Sequence, residues 1–262
     1  MQIQVIGKSP AWQDAGGACS GYLVEHSDSK LLLDCGNGVF GKLRAVLDFH
    51  EVSNVLISHM HGDHILDLIP FAYGLLYGPG PSLPSGPDDP SYVSQKAETQ
   101  LHLPPGGIAT MRTICGAFGS EHLIEEAFSV TEYDPAGSLT IGELRIDFQH
   151  VPHFIDAWAV RIAEGDSTFV FGADCGPSEE LREFASGADL LMLEATFAHD
   201  AEEADGHMTP TQAAILARDA NAARLVLTHI SDCLDLEASQ RAAAEIFGDS
   251  VIVAADGDSW QL

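Results

Sequence analysis

Basic residues are scarce in this chain. Its 262 residues include 12 Lys plus Arg against 39 Asp plus Glu, which gives a formal net charge of −27. Affinity for nucleic acid depends largely on lysine and arginine contacts to phosphates, so this composition disfavours a large RNA or DNA partner. Adaptation for solubility, for example to a salty cell interior, would produce the same acidity. Both interpretations disfavour a polyanionic partner.

Long apolar runs and paired cysteines are missing as well. No apolar stretch approaches the ~20 residues that a membrane span needs, and the opening MQIQVIGKSP lacks the features of a signal peptide. The chain has an odd number of cysteines and no C-x-x-C motif, which fits reduced thiols better than a disulfide framework. These cysteines are Cys19, Cys35, Cys115, Cys175 and Cys233. We therefore expect a cytoplasmic protein that does not engage a membrane.

The order of strand-like and helix-like segments predicts an α/β chain. Short strand-like runs such as IQVIG and KLLLDCG fill the first half, and the second half repeats that rhythm. The segment TPTQ predicts a helix over Thr209–Ala220, with a threonine N-cap and proline at the first helical position. Two strand-rich halves, each ending in helix–strand alternation, suggest two packed sheets with helices outside. We treat residues 1–262 as one domain with a Pro/Gly-rich insertion loop at about 78–99.

The segment SHMHGDH, residues 58–64, carries the clearest chemical signal. It places three histidines (His59, His61 and His64) and Asp63 directly after NVLI, which predicts a buried strand. A single histidine can cap a helix or sit solvated on a loop, but that explanation covers only one or two of these. Imidazole and carboxylate together are typical of zinc ligands, with Mn²⁺ and Fe²⁺ as alternatives.

Four residues cannot complete a site for two metal ions, and three further candidates follow predicted strands. His153 follows FQHVP, Asp174 ends FVFGAD and His229 ends LVLTH. Strand ends can hold ligands rigidly while the adjoining loops leave room for a substrate. The sequence therefore predicts that these residues join the histidine motif in one metal centre.

The order of these motifs resembles the metallo-β-lactamase superfamily. HMHGDH, a lone histidine, GAD and LTHIS follow one another from LLLDCG near Asp34 almost to the end of the chain. The resemblance implies a four-layer αββα sandwich with two divalent metal ions in a cleft between the sheet edges. It also implies that Asp34 orients the histidine motif without binding a metal. On this resemblance, one ion is held by His59, His61 and His153, the other by Asp63, His64 and His229, and Asp174 bridges both.

Single positions narrow the branch of the superfamily. Asp174 stands where lactamases of this fold generally have a cysteine, which argues against antibiotic hydrolysis. His61 stands where flavo-diiron proteins have an acid, which argues against redox iron. LEATFAHD followed by GHMTPTQ is similar to the HEATF and GHST motifs of the ribonuclease Z branch. In that branch the histidine matched by His207 assists at the scissile phosphate; a solvated loop histidine is the alternative interpretation.

The chain also departs from ribonuclease Z. Leu193 and Met208 replace the first residue of HEATF and the serine of GHST, although Glu194 is kept. Residues 78–133, where the long basic arm of ribonuclease Z would lie, are Pro-rich and nearly devoid of lysine and arginine. Together with the net charge, these departures favour the compact, armless relatives that hydrolyse small phosphodiesters.

The resemblance therefore implies a dinuclear metal-dependent hydrolase of small anionic phosphodiesters such as cyclic nucleotides. Asp63 would accept a proton from the nucleophile, and His207, oriented by Glu194, would protonate the leaving alkoxide. The alternatives are a tRNA 3′-processing endonuclease of the ribonuclease Z type, a lactone or thioester hydrolase, and a catalytically silent binding module. A homodimer is expected from the resemblance alone.

Five further residues receive structural interpretations. Cys175 is expected to be a packing residue, and His150 and His199 are expected to lie outside the metal-ligand set. Trp158 and Trp260 are expected in the core.

Overall fold

The computed structural model describes residues 1–78, 99–198, 206–248 and 251–262, whose strands form two seven-stranded sheets. The strands of the first sheet are β1 (Gln2–Gly7), β2 (Gly21–His26), β3 (Ser29–Leu33), β4 (Asn54–Leu56), β5 (Gln100–Leu103), β6 (Ser129–Glu132) and β14 (Ser259–Gln261). Those of the second sheet are β7 (Ser138–Ile141), β8 (Leu144–Val151), β9 (Ala157–Glu164), β10 (Ser167–Phe171), β11 (Leu190–Glu194), β12 (Leu225–Thr228) and β13 (Val251–Val253).

Helices cover the outer face of each sheet. The helices are α1 (Val39–Val46), α2 (Gly62–Ile65), α3 (Leu68–Tyr77), α4 (Gly107–Gly116), α5 (Leu123–Ala127), α6 (Glu179–Phe184), α7 (Pro210–Asp219) and α8 (Leu236–Phe247). Apolar side chains of α1, α3, α4 and α5 pack with the first sheet in one buried cluster. Those of α6, α7 and α8 pack with the second sheet in another.

A third buried cluster joins the two sheets face to face. Strand β3 contributes side chains to two of the clusters. Leu32 faces the helices, whereas Leu31 and Leu33 face the other sheet. Successive side chains of a strand point to opposite faces, so a strand buried on both faces has an uninterrupted apolar sequence. The layers are therefore helix, sheet, sheet and helix, which confirms the predicted αββα fold class.

Both sheets follow the same plan. In the first sheet β1, β2 and β3 pair antiparallel, and β3 to β6 continue in parallel. In the second sheet β7 to β10 pair antiparallel, and β10 to β13 continue in parallel. The carboxyl ends of parallel strands meet at one edge of a sheet, which is where ligands usually bind in open α/β sheets.

The sequence did not predict helices α4 and α5. The last strand leaves the second half of the chain and pairs antiparallel with β1, with Ile3 opposite Trp260. After the histidine motif, the helical spacing of large apolar residues in HILDLIPFAYGLLYG predicts a helix. In the structure this stretch divides between α2 and α3. The break lies at Asp67, whose side chain accepts a hydrogen bond from the backbone N–H of Phe40 (2.9 Å).

Two other predictions concern loops and caps. The capping box at the start of α7 is confirmed, because Thr209 and Gln212 each accept a hydrogen bond from the other's backbone N–H. The predicted insertion loop at about 78–99 lies outside the described residues except at its two ends. Within the described parts of the chain, no helix combines the length and apolar character needed to cross a bilayer.

Candidate metal centre

Strand ends from both sheets position the candidate ligands. The histidine motif follows β4 of the first sheet, whereas His153, Asp174 and His229 follow β8, β10 and β12 of the second. The motif also touches the second sheet directly, because His59 forms an isolated β-bridge with Ala157. The centre therefore lies where the edges of the two sheets meet.

Backbone strain is concentrated at this edge. Asp34, Ala173 and His229 have positive φ angles of 60°, 56° and 47°, which non-glycine residues adopt rarely. Each of them is a candidate site residue or lies next to one. Strained backbone of this kind often accumulates at functional sites, where the surrounding structure holds it in place.

Three histidines form the first group of donor atoms. The Nδ1 atom of His61 lies 3.2 Å from Nε2 of His59 and 2.9 Å from Nε2 of His153. The three nitrogens could hold one metal ion, since all of them lie within 4.8 Å of one another.

Asp63, His64, Asp174 and His229 form the second group, also within 4.8 Å. The Oδ2 atom of Asp174 lies 3.1 Å from Nε2 of His229 and 3.3 Å from Nε2 of His64. The same oxygen is 3.9 Å from Nε2 of His59 in the first group. Asp174 thus stands between the two groups, at the position from which one carboxylate could contact two ions.

One buried nitrogen shows that the donor set fits a cation. Nε2 of His64 is fully buried and makes no hydrogen bond within the described structure, although it faces the carboxylate of Asp174. A buried polar atom without a hydrogen bond is costly and calls for a partner. A divalent ion bound by this nitrogen and the nearby carboxylates would supply that partner.

The pKa shifts of the candidate side chains also favour the protonation states that bind metal ions. Burial, followed by the neighbouring charge of His64, holds the pKa of His59 well below its usual value. Burial also lowers the pKa of His61 and His153. Burial opposes ionisation of Asp174, but the adjacent histidines outweigh it and its pKa is strongly lowered. Neutral imidazoles and ionised carboxylates are the forms that bind metals.

The pKa of His64 is shifted in the opposite direction, which also indicates a site for a cation. Burial alone would lower its pKa, but Asp174 and Asp34 flank the ring and raise the pKa well above its usual value. A proton on this ring therefore neutralises negative charge in the absence of another cation. A bound metal ion would take over that role.

Hydrogen bonds fix the second ring nitrogen of four of the histidines. Nδ1 of His64 lies 2.7 Å from Oδ2 of Asp34, and Nδ1 of His153 lies 2.7 Å from the carbonyl oxygen of Gly206. The remaining pairs are His59 Nδ1 with Ser58 Oγ (3.0 Å) and His229 Nδ1 with Thr196 Oγ1 (2.8 Å). Such contacts set the tautomer and ring orientation of metal-binding histidines. The carboxylate of Asp34 also accepts the backbone N–H of Ser58 (2.7 Å), so it contacts the histidine motif as expected.

His207 and Glu194 form a pair beside the second group. Nδ1 of His207 lies 2.8 Å from Oε1 of the fully buried Glu194. The His207 ring stacks on that of His229, with centroids 5.7 Å apart and planes 14° from parallel. Burial lowers the pKa of His207, but the hydrogen bond and charge of Glu194 outweigh burial and the pKa is raised.

Glu194 organises this corner of the site. Its carboxylate accepts hydrogen bonds from the backbone N–H groups of Cys175 (2.6 Å) and Met208 (3.1 Å) and from the hydroxyl of Thr196 (2.6 Å). Met208 contributes its backbone to this network, and its side chain lies in the core with that of Leu193. The two residues that differ from the ribonuclease Z motifs are therefore both packed in the apolar core.

The structure places the remaining candidates away from the donor groups. Cys175 is buried in the core, and its backbone contacts Glu194. His150 is paired with Asp156 (3.1 Å) and belongs to no described donor group. Trp158 is buried between the sheets, with Trp260 packed against the same cluster, whereas His199 lies outside the described residues.

Three partners of the candidate ligands were not predicted from the sequence: Thr196, Ser58 and the carbonyl of Gly206. Thr196 lies within the LEATF motif and could have been found there. The contact between Gly206 and His153 joins residues 53 positions apart. A backbone carbonyl can belong to any residue, so this contact has no sequence signature.

Comparison with known proteins identifies the family. Residues 29–230 match the beta-lactamase superfamily domain. YhfI of Bacillus subtilis (strain 168), a probable metallo-hydrolase, is 31% identical over 268 residues, and the match covers all of both chains. Ribonuclease Z of Salinibacter ruber is 32% identical over 88% of this chain and 85% of its own.

A crystal structure of the Bacillus subtilis protein YhfI shares this architecture. It superposes with a TM-score of 0.84 and 26% sequence identity, covering 99% of this chain and 98% of that one. That protein has the metallo-beta-lactamase fold. With the cluster of metal-binding side chains, these matches identify the chain as a metal-dependent hydrolase belonging to the beta-lactamase superfamily.

Proposed function

We propose that this hydrolase is a dinuclear phosphodiesterase acting on small phosphodiesters such as cyclic nucleotides. The observation that carries the proposal is the Glu194–His207 pair, held against the metal-ligand cluster with its carboxylate buried. The ribonuclease Z of Salinibacter ruber supports it, since its name states action on RNA, a phosphodiester.

Seven side chains would hold two divalent ions, for which we propose Zn²⁺, with Mn²⁺ or Fe²⁺ as alternatives. When bound, the ions activate water for attack and neutralise charge that builds on the phosphoryl oxygens. One ion would be held by His59, His61 and His153 and the other by Asp63, His64 and His229, with Asp174 between them.

Asp63 would take part in the first proton transfer. Its Oδ2 lies 3.1 Å from Nε2 of His229 and 3.5 Å from Nε2 of His64. Burial opposes its ionisation, but contacts with these histidines outweigh burial and lower the pKa of Asp63 strongly. The ionised carboxylate can hold a metal ion and accept a hydrogen bond from the attacking water.

His207 would protonate the leaving oxygen. Its Nδ1 is engaged by Glu194, and in the described structure its Nε2 makes no hydrogen bond. The carboxylate favours the protonated ring, so Nε2–H is available as a donor beside His153 and His229. A sugar alkoxide is a poor leaving group, and general acid catalysis of this kind contributes about 10²–10⁴-fold.

The electrostatics of the site favour a small substrate. The hydrogen bonds and ion pairs of the seven ligands involve no lysine or arginine within the described residues, and Lys8 is committed to Asp14 and the carbonyl of Ile230. A tRNA would require many basic contacts. We therefore propose a small anionic diester and place tRNA 3′-processing second.

A leaving-group comparison tests the role of His207. His207→Ala should lower kcat for cyclic AMP by about 10²–10⁴-fold, because its ribose alkoxide needs a proton. With bis(p-nitrophenyl) phosphate the loss should be far smaller, since p-nitrophenolate leaves unaided. Metal content should equal that of the unmodified protein.

The matched control is His150→Ala, which removes an exposed histidine outside the donor groups and should change neither rate. Equal losses for the two leaving groups in His207→Ala would contradict proton donation and assign His207 to binding or structure. A lactone panel completes the test: turnover of lactones without turnover of either phosphodiester would replace the phosphodiesterase proposal with the carbonyl-ester alternative.

A further inference from the structure

Phe154 is an exposed aromatic residue at the edge of the metal centre. It directly follows the candidate ligand His153 in the loop between β8 and β9, and 64% of its surface is exposed. The ring is therefore accessible to a molecule bound at the metal centre.

The ring of Phe154 is seated against Gly206. A Cβ atom added to Gly206 would lie 2.9–3.2 Å from three atoms of that ring, and the φ angle of Gly206 is +69°. Only glycine combines this close approach with this backbone conformation at low cost. The carbonyl of Gly206 also contacts Nδ1 of His153, so one residue positions both the aromatic ring and the metal ligand.

Phe154 also lies next to the proposed proton donor. Its ring centroid is 5.7 Å from that of His207 and 5.1 Å from that of His153. Within the described structure it makes no ring contact with His64 or His229, which belong to the second donor group. Phe154 therefore borders the side of the centre from which His207 would protonate the leaving oxygen.

Among the described residues, the ion pairs of the seven ligands include no lysine or arginine, so we look to an uncharged side chain for affinity toward the organic part of a substrate. Base–aromatic stacking is the chemistry that an exposed, fixed phenyl ring offers, and it tolerates any base. A planar base attached to the sugar that carries the leaving oxygen would lie on the same side as His207.

We propose that Phe154 is a stacking platform that selects phosphodiesters bearing a nucleobase on the leaving-group nucleoside. This specificity role rests on the proposed phosphodiesterase function. It divides the site into two parts: the metal ligands and His207 act on the phosphate, and Phe154 binds the base.

Kinetics with two matched substrates test the platform. Phe154→Ala should raise KM for cyclic AMP by about 5–100-fold with little change in kcat, because stacking is lost while the phosphate site is intact. A ribose cyclic phosphate without a base should be hydrolysed equally by both proteins. Phe154→Trp should retain a low KM, and Phe118→Ala, which removes a phenyl ring that is 48% exposed elsewhere on the surface, should have no effect.

A binding measurement separates failure of the platform from failure of the phosphodiesterase proposal. By calorimetry on metal-loaded protein, Phe154→Ala should weaken adenosine 5′-monophosphate about 5–100-fold and leave ribose 5-phosphate unchanged. Equal affinity of both proteins for the nucleotide would overturn the stacking role of Phe154, whether or not the protein hydrolyses phosphodiesters.

Absence of phosphodiester turnover in the unmodified protein would instead overturn the proposed function. A change of oligomeric state in Phe154→Ala, with both substrates affected equally, would assign the ring to a chain–chain contact and also overturn the platform.

Discussion

Hydrogen-bond chemistry at single residues decides which nitrogen of a histidine faces the metal centre. Thr196 gives the clearest example: its hydroxyl lies 2.6 Å from Oε2 of Glu194 and 2.8 Å from Nδ1 of His229. A carboxylate can only accept, so the hydroxyl donates to Glu194 and its oxygen accepts from Nδ1–H of His229. That tautomer leaves the lone pair of Nε2 free for a metal ion.

Replacing Thr196 by valine should therefore weaken the site while leaving its shape intact. We expect Thr196→Val to lower metal affinity or kcat by about 10–100-fold, the range seen when a partner of a metal ligand is removed. Chelator competition and steady-state kinetics measure the two quantities. Thr196→Ser keeps the oxygen and should have nearly the metal affinity and kcat of the unmodified protein. Equal metal affinity and kcat in the valine and serine variants would show that the hydroxyl of Thr196 does not support His229.

The sequence indicates candidate ligands more clearly than it indicates the residues that hydrogen-bond to them. Three histidines and an aspartate in seven residues are visible because the donor types and spacing are specific to metal binding. The contact from Gly206 and the stacking of His207 on His229 depend on how two sheets meet, and neither has a local pattern. The exposure of Phe154 is likewise a property of the folded loop.

At the scale of secondary structure, buried strands were the most predictable elements. KLLLDCG and DLLMLEA are continuous apolar runs because β3 and β11 are buried on both faces. Helix α4, GIATMRTICG, was not predicted, because only Gly107, Met111 and Cys115 are buried and its remaining residues follow no strong pattern. Strand β14 is three residues long and exists through its pairing with β1, a contact between the two ends of the chain.

Strand β5 carries a buried histidine that makes stability depend on pH. His102 contacts Asn54 Oδ1 (2.9 Å) on β4 and Thr131 Oγ1 (3.2 Å) on β6, an arrangement that suits the neutral ring. Burial lowers its pKa to about 4, whereas an unfolded histidine titrates near ~6.5. Between these pH values the unfolded state binds more protons, so the free energy of unfolding falls as the pH falls.

Substituting His102 by glutamine should flatten this dependence. For the unmodified protein the contribution of His102 amounts to a loss of about 2 kcal/mol between pH 7 and pH 5, which the variant should lack. Urea unfolding of both proteins at saturating metal measures the difference, and His122→Gln, at an exposed histidine, serves as the control. If the free energy of unfolding changed with pH in the same way for His102→Gln and the unmodified protein, the lowered pKa of His102 would not be the cause of the pH dependence.

For the whole molecule, charge and fold restrict function in different ways. The net charge of −27 is one reason why we propose a small substrate rather than a polyanion, but it does not indicate which reaction the protein catalyses. The order of the motifs predicted the αββα fold and the family because those motifs span nearly the whole chain. Substrate specificity depends on the residues that line the cleft around the motifs, and sequence patterns identify few of those residues.

We propose that two metal ions and the surrounding side chains act as one phosphodiesterase centre. A metal titration of turnover tests it most directly: metal-depleted protein receives Zn²⁺ or Mn²⁺ in steps while hydrolysis of bis(p-nitrophenyl) phosphate and bound metal are measured together. The seven proposed ligands fall into two groups of donor atoms, so we expect turnover to appear with the second equivalent and to reach its plateau at two per chain. Full activity at one equivalent, or activity that does not depend on metal, would contradict the dinuclear phosphodiesterase.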